Sequence, residues 1–264
     1  MATISEQRVM VFCDSNEPPD DVIAHGVRLA TIFRKELCLF HPLTTTDKKE
    51  RNDVQDKLGK VIRDLKSQRV DLPLSILTLP GRLNDLVEKL ADDYDGILLI
   101  LTPENIKEKL AALHESAIPF LFTHGNSAQY LRYNRIVLTL DDKKSARDVA
   151  LWGTYFGRFN QASIEMRVLR GKDEDERSAI TKNLQSIREL LSGLKIKVRF
   201  IQMPGNDLSY EGTAKTFNFM IMANRHIQTT DDLFRFPEAE LISQAEEMPV
   251  LCVNANRAMY ILCD

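Results

Sequence analysis

The sequence has little of what marks several large functional classes. Its 264 residues carry 35 basic and 38 acidic side chains, a net charge of −3, so it offers no basic footprint for nucleic acid and no polybasic surface for a membrane. The longest apolar run, 97–101, is too short to span a bilayer, and residues 1–8 contain no apolar stretch of signal-peptide length. We therefore expect a cytoplasmic protein that binds neither nucleic acid nor membrane.

The residues of common catalytic and metal sites are also few or poorly spaced. The four cysteines form no CxxC pair, and Cys13, Cys38 and Cys252 fall inside apolar, strand-like runs. This pattern predicts small buried hydrophobic side chains in a reducing compartment. The five histidines lack metal-ligand spacing, and no HExxH, GxSxG, Walker or GxGxxG motif occurs. We predict no metal, no cofactor and no enzymatic activity.

The sequence does contain a long internal repeat. Three pairs of residues share one offset of 127 positions: Asp14 and Asp141, Asp21 and Asp148, Gly26 and Gly153. Later landmarks recur with a small drift, since a Pro-Gly at 80–81 returns at 204–205. A repeat of this length is the size of a domain. The sequence therefore predicts two related tandem domains, 1–128 and 129–264.

Apolar strand-like runs alternate with amphipathic helices in both copies, which is typical of a parallel sheet covered on both faces. The predicted strands are 8–13, 36–41, 74–79, 96–101 and 119–123, then 135–140, 163–169, 197–202, 219–223 and 250–253. The predicted helices are 20–33, 53–68, 83–93 and 106–114, then 145–158, 176–192, 209–216 and 237–246. We predict a linker at 125–134 and a strand-like tail at 258–263 that has no counterpart in the first copy.

An aspartate closes the first predicted strand of each copy. Ligands of an open parallel sheet bind beyond the carboxyl ends of its strands, so Asp14 and Asp141 are candidate ligand-binding residues. Their carboxylates could accept hydrogen bonds from a ribose or an adenine amino group. Aspartate is also a common loop and cap residue, and each could instead hold backbone amides of the loop or of the following helix. The sequence leaves both alternatives open.

The order of these landmarks resembles the universal stress protein family, over nearly the whole chain and in both copies. The pattern is a strand, an aspartate, a loop, a helix with a central glycine, a second strand, a Pro-Gly after the third strand and a fifth strand that follows a proline. The resemblance implies an adenine-nucleotide alpha-hydrolase-like α/β fold, with five parallel strands in the order 3-2-1-4-5 and helices on both faces. Members usually dimerise, so it also implies an intramolecular pseudo-dimer with its fifth strands near the contact, and a homodimer of the whole chain as a further option.

Many members of that family bind ATP through a glycine-rich run after the fourth strand, and the second copy departs from that run. Ala223 and His226 stand where two of the glycines are expected, and Phe234 replaces the third. Glycines in such loops let backbone amides approach phosphate oxygens closely. Arg225 remains as a candidate anion partner, with His226 beside it as a candidate ligand-binding residue.

The first copy departs from the family pattern further. Its loop after the fourth strand is shorter, and the segment 102–105 contains Pro103, which lacks an amide donor, and Glu104, whose charge would repel phosphate. The resemblance and these departures together predict a non-catalytic protein with a stress-related regulatory or interaction role, no ATP binding and an unknown protein partner. The alternative is a small-molecule or nucleotide sensor that binds its ligand in the second domain.

Overall fold

The computed structural model describes residues 7–14, 18–113, 116–123, 129–203, 213–223 and 248–254. The chain divides into two compact units between Asn126 and Ser127. That division falls outside the described residues, so the boundary at residue 128 stays a prediction. The predicted helix at 237–246 and the predicted tail at 258–263 also lie outside them.

The first unit alternates strands and helices along the chain. Its strands are β1 (Arg8–Phe12), β2 (Glu36–Leu43), β3 (Leu74–Pro80), β4 (Gly96–Leu101) and β5 (Phe120–Phe122). Its helices are α1 (Asp20–Phe33), α2 (Lys48–Ser67), α3 (Leu83–Asp92) and α4 (Ile106–Leu113). All six residues of β4 are buried, as expected of a strand with helices on both of its sides.

The second unit repeats this order within the described residues. Its strands are β6 (Arg135–Leu140), β7 (Ser163–Val168), β8 (Lys197–Gln202), β9 (Phe219–Ala223) and β10 (Val250–Val253). Its helices are α5 (Ala146–Asn160), α6 (Glu174–Leu191) and the short α7 (Thr213–Thr216), and a 3-10 turn at Tyr130–Arg132 precedes β6.

The strands of each unit form a parallel sheet. In the first unit β1 pairs with β2 and β4, β2 with β3, and β4 with β5. In the second unit β6 pairs with β7 and β9, β7 with β8, and β9 with β10. Both sheets therefore have the strand order 3-2-1-4-5 when strands are counted within their own unit. The predicted α/β fold class is confirmed.

Helices cover both faces of the first sheet. A Cβ atom at Gly26 of α1 would lie 2.5 Å from Val11 Cγ2 of β1, whereas one at Gly96 would lie 3.0 Å from Met10 Cε and 2.8 Å from the Leu90 carbonyl oxygen of α3. Successive side chains of a strand point to opposite faces. Val11 therefore faces α1 and Met10 faces α3.

The second unit packs its first helix on its first strand in the same way. A Cβ atom at Gly153 of α5 would lie 2.9 Å from Leu138 Cδ2 of β6 and 3.7 Å from Ile164 Cδ1 of β7. In the first unit, Val11 and Leu37 are the residues that lie closest to a Cβ atom at Gly26. Leu138 and Ile164 stand 127 positions after them. The offset read from the sequence thus relates the strand–helix packing of the two units as well as their residues.

The segment predicted as a linker contains buried aromatic residues where the structure describes it. Tyr133 is fully buried, and its ring centroid lies 5.7 Å from that of Phe156 and 4.9 Å from that of Phe219. Asn218 Nδ2 donates to the Gln129 carbonyl oxygen at 2.9 Å. The part of the predicted linker at 129–134 thus packs on the second unit through Tyr130 and Tyr133, and its remaining residues, 125–128, lie outside the described part of the chain.

Two helices begin earlier than predicted. Helix α2 begins at Lys48 instead of residue 53, and α6 begins at Glu174 instead of residue 176. Each follows an aspartate whose side chain accepts a backbone amide of the first turn, Asp47 from Lys49 and Asp173 from Glu176. These caps stabilise polar first turns that carry no apolar periodicity. None of the helices in the described part of the chain combines the length and apolarity needed to cross a membrane.

Candidate functional site

In the first unit a lysine lies at the carboxyl ends of the central strands. Asp14 follows β1 and Thr102 follows β4, and these two strands are neighbours in the sheet. Lys109 comes from α4, and its Nζ lies 2.8 Å from Asp14 Oδ2. The same ammonium donates to the carbonyl oxygen and to the Oγ1 of Thr102, each at 3.1 Å. The ammonium of Lys109 thus occupies the carboxylate of Asp14, which the sequence had indicated as a candidate ligand-binding residue.

The Lys109 side chain is buried and fully engaged. Only 7% of it is exposed, against 38% of the Asp14 side chain. A lysine ammonium has three N–H donors, and three oxygen atoms surround this one. Its charge also lies over the Phe12 ring, 5.7 Å from the centroid, an arrangement that attracts a cation to an aromatic face. The ammonium therefore has no donor left for a phosphate group.

The residues around Asp14 are held by the sheet itself. The Cys13 amide donates to the Phe40 carbonyl oxygen at 2.8 Å, and His41 Nδ1 donates to the Cys13 carbonyl oxygen. Burial raises the pKa of the Cys13 thiol far above its usual range, with smaller contributions from the nearby Cys38 and Asp14. A thiol in this state is a poor nucleophile, so Cys13 serves packing.

Glu104 also lies near this edge, in the short turn between β4 and α4. Its side chain is exposed, whereas Thr102 beside it is buried. The turn leads directly into α4, so the described segment 102–105 provides no long loop that could wrap a phosphate chain. The sequence had singled out Glu104 and Pro103, and the structure adds Lys109 as the residue that contacts the candidate Asp14.

In the second unit Asp141 holds its own loop. Its Oδ1 accepts the Lys143 backbone amide at 3.0 Å, an Asx turn. Asn183 of α6 donates to the backbone oxygens of Asp141 and Lys143, at 3.0 and 2.9 Å. The loop after β6 is therefore fixed from both sides, and the carboxylate of Asp141 is half-buried and close to the start of α6.

A cavity of about 250 Å³ lies beside Asp141. It is bounded by the loops that follow β6 and β7 and by the first turns of α6. The charged residues among its lining are Asp141, Asp142, Lys143, Lys172 and Glu176. Lys143 Nζ lies 3.2 Å from Asp142 Oδ2, so part of this charge is paired internally. Arg225 and His226, the other two candidate residues, lie outside the described residues.

In the loops after β2 and β7, a glutamate that was not predicted from the sequence accepts backbone amides. Glu50 of α2 accepts from the amides of Thr44 and Thr45, both at 2.9 Å, and Glu176 of α6 accepts from the Lys172 amide at 2.7 Å. Each glutamate stands three residues after its capping aspartate. The spacing Asp-x-x-Glu before an amphipathic run is the signal that would have found both caps. These glutamates fix the loops that border the carboxyl edge of each sheet.

The described residues offer no metal centre, since no cluster of three or more His, Cys, Asp or Glu side chains that could hold an ion occurs among them. The sulfur ligands that would suit zinc are also buried: Cys13, Cys38 and Cys252 are all inside the core. Burial raises the pKa of the Cys38 thiol to about 11, against a smaller opposing effect of the hydrogen bond from Ser75.

No family model and no curated protein sequence matches this chain. Solved structures do match it. A universal stress protein from Archaeoglobus fulgidus DSM 4304 superposes with a TM-score of 0.67 at 11% identity, covering 96% of this chain and 98% of that one. A candidate universal stress protein from Pseudomonas aeruginosa UCBPP-PA14 gives 0.64 at 12%, covering 95% and 94%. A protein of unknown function from Pseudomonas aeruginosa PAO1 gives 0.62 at 11%, covering 95% and 93%.

These likenesses extend over both units of the chain. At 11–12% identity they concern the fold alone. The chain has the fold of the universal stress proteins, and the resemblance recognised from the sequence landmarks is confirmed at that level.

Proposed function

We propose that this protein has a regulatory or interaction role in a stress response, that it is not an enzyme, and that its first unit works without ATP. The fold, which it shares with the universal stress protein of Archaeoglobus fulgidus, supports the link to stress. The position of Lys109 is the single observation that supports a first unit working without ATP. Its ammonium already contacts Asp14 Oδ2 and both oxygens of Thr102, the atoms to which a nucleotide would bond at this edge of the sheet.

The energetics of that contact support the same conclusion. A nucleotide entering the first unit would have to displace an ammonium that makes three contacts with oxygen atoms in a largely buried position. Hydrogen bonds to charged groups contribute about 1.5–3 kcal/mol each, whereas millimolar affinity needs only about 4 kcal/mol in total. The free energy lost by displacing Lys109 is therefore at least as large as the free energy gained from weak nucleotide binding.

A titration of the full chain with ATP tests the nucleotide part of the proposal. We expect no saturable binding up to about 1 mM, measured by calorimetry on protein freed of any co-purified nucleotide. Asp14→Ala should leave this result unchanged. Micromolar binding that is lost in Asp14→Ala would contradict the proposal for the first unit.

A complementation experiment tests the biological role. A strain of the source organism that lacks this protein should survive starvation, oxidative or heat stress less well than its parent. The wild-type chain and the Asp14→Ala variant should both restore survival, because the proposed role needs no nucleotide in the first unit. Equal survival with and without the protein under all three stresses would contradict the link to stress.

The second candidate function is a small-molecule or nucleotide sensor in the second unit. The observation that favours it is the 250 Å³ cavity beside Asp141, lined by Lys143 and Lys172. This cavity lies next to the carboxylate of Asp141. ATP binding that is abolished by Asp141→Ala or Arg225→Ala, and unaffected by Asp14→Ala, would favour this function over the first.

A further inference from the structure

The second unit has a second concave region, at the opposite end of its sheet from Asp141. A cavity of about 450 Å³ opens beside the amino ends of β6, β7 and β8 and the residues that follow α7. Its lining contains three cations, Arg135, Lys197 and Arg199, and one carboxylate, Glu165. The arrangement of these charges is fixed by the register of the three strands.

The register places two cations on either side of a hydroxyl group. Arg135 of β6 pairs with Ser163 of β7, and Ser163 pairs with Lys197 of β8. Neighbouring strands lie about 4.8 Å apart, so the two cationic residues are separated by about 10 Å across Ser163. Both are exposed, and neither side chain has a carboxylate partner among the residues that the structure describes. This row forms one edge of the cavity.

The next row on the same face holds a buried charge cluster. Glu165 pairs in register with Arg199 and is only 5% exposed. Its Oε2 accepts from Arg199, and its Oε1 accepts from Arg167 Nε at 2.9 Å. One carboxylate thus neutralises one of two guanidinium groups. Together with the row of Arg135 and Lys197, the cavity region carries four positive charges and one negative charge.

An aromatic wall accompanies these charges. Phe217 lines the cavity, and the Arg167 guanidinium lies over its ring at 5.5 Å from the centroid. Arg167 Nη1 also donates to Thr213 Oγ1 of α7 at 3.4 Å. Arg167 is therefore held by the Glu165 carboxylate, the Phe217 ring and the Thr213 hydroxyl. Arg199 contacts the same carboxylate but remains 65% exposed, so it still has N–H donors for a ligand.

Cations on a sheet edge also have an ordinary role, because charged side chains there discourage pairing with other chains. That role fits Lys197 and Arg199, since β8 is the edge strand of this sheet. It does not explain Arg135, which lies on β6 in the middle of the same sheet and lines the same cavity. The convergence of charges from a central strand and an edge strand points to a ligand.

We propose that this cavity binds small organic phosphates, with the phosphate group among Arg135, Lys197 and Arg199 and the organic part beside Phe217. A tetrahedral dianion can accept from donors in several directions, which suits three separate cations better than a planar carboxylate does. The site lies at the amino end of the sheet, so it is independent of the proposed function and of the alternative site beside Asp141.

Phenyl phosphate is the probe that tests this proposal, titrated against the full chain by calorimetry and by proton–nitrogen correlation NMR. We expect millimolar or tighter binding, with amide shifts at Ser163 and Arg199. The double variant Arg135→Gln/Lys197→Gln should bind about tenfold or more weakly. The matched control Lys144→Gln/Lys182→Gln removes the same charge from exposed positions of the second unit that line neither cavity, and it should change affinity less than about twofold.

Further variants and ligands distinguish binding at a specific site from general attraction between opposite charges. Exchanging the two cations, Arg135→Lys with Lys197→Arg, keeps the charge and should keep binding, and Asp141→Ala should have no effect. Inorganic phosphate should bind more weakly than phenyl phosphate, because it lacks the group that contacts Phe217. Equal losses in the double variant and its control, tighter binding of phenylacetate than of phenyl phosphate, or no binding by the wild-type chain would each overturn the proposal.

Discussion

The carboxyl ends of the two sheets use the same aspartate in different ways. In the first unit Asp14 receives a buried lysine from α4, and the ammonium joins it to Thr102. In the second unit Asp141 folds back on its own loop, accepts the Lys143 amide, and leaves a cavity beside it. Both residues follow the first strand of a sheet with the same strand order, and they differ in the contacts that the described residues make with their carboxylates.

This difference shows that the same backbone position, here the aspartate after the first strand, can make different contacts in two units that share a fold. The strands, the packing of the first helix and the capping glutamates recur at nearly constant offset. The amino ends differ as much as the carboxyl ends: Cys38 and Ser75 stand in register in the first unit, where the second unit has Glu165 and Arg199. At these two positions the second unit carries charge where the first carries small, weakly polar side chains.

The comparison can be tested most strongly by removing the internal cation. Lys109→Met keeps the length of the side chain but leaves Asp14 and both oxygens of Thr102 without this donor. We expect the first unit to lose about 2 kcal/mol of stability, in the range for hydrogen bonds to a charged group and moderated because Asp14 is partly exposed to solvent. Urea unfolding followed by far-UV circular dichroism measures the change.

A control and an internal reporter accompany that variant. Lys107→Met removes an exposed lysine from the same helix and should change stability by less than about 0.5 kcal/mol. Trp152, the one tryptophan of the chain, is buried in α5, so its fluorescence should report the second unit and should be unaffected by either variant. Equal losses in Lys109→Met and Lys107→Met would refute the role assigned to the buried ammonium.

A smaller effect should separate the two central glycines. An alanine at residue 26 would press its Cβ against Val11 Cγ2, a branched and stiff side chain, at 2.5 Å, and an alanine at residue 153 would meet the flexible end of Leu138 at 2.9 Å. Crowding of this kind costs about 1–3 kcal/mol, and the better helix propensity of alanine returns about 1 kcal/mol. We expect Gly26→Ala to destabilise by about 1–2 kcal/mol.

Gly153→Ala should be nearly neutral, because Leu138 can move its terminal methyl group. Thermal unfolding of the full chain, followed by Trp152 fluorescence for the second unit and by circular dichroism for both, compares the two variants. A larger loss in Gly153→Ala than in Gly26→Ala would mean that the two helix–strand contacts relax differently from the way their geometry indicates.

Much of the fold could be predicted from the sequence because strands buried on both faces are continuous apolar runs. The run at 96–101 is such a case, and the repeated glycine marked the close contact of α1 with β1. Lys109 could not be placed from its own pattern, since its contact with Asp14 depends on how α4 meets the ends of β1 and β4. Its only local signal is a position beside Leu110 on the buried stripe of α4.

Other errors came from reading apolar periodicity alone. The first turns of α2 are polar, so their helical state depends on the cap at Asp47, which hydrophobic periodicity does not detect. Tyr133 follows a segment rich in polar residues, and only its contacts with Phe156 and Phe219 place it in the core. Local polarity therefore did not locate the buried Tyr133 or the start of α2.

The smallest expected effect concerns the capping glutamate of the first unit. Hydrogen bonds from Thr44, with those from Thr45 next, lower the pKa of Glu50 to about 2. Because the folded pKa is depressed, the associated stability is present above the usual carboxyl range and is lost as the pH falls through about 2. Carbon-detected NMR of the Glu50 carboxylate measures the midpoint directly. The double variant Thr44→Val/Thr45→Val should raise it toward the ordinary carboxyl value of 4.5, while a wild-type midpoint already near that value would show that the cap is not formed in solution.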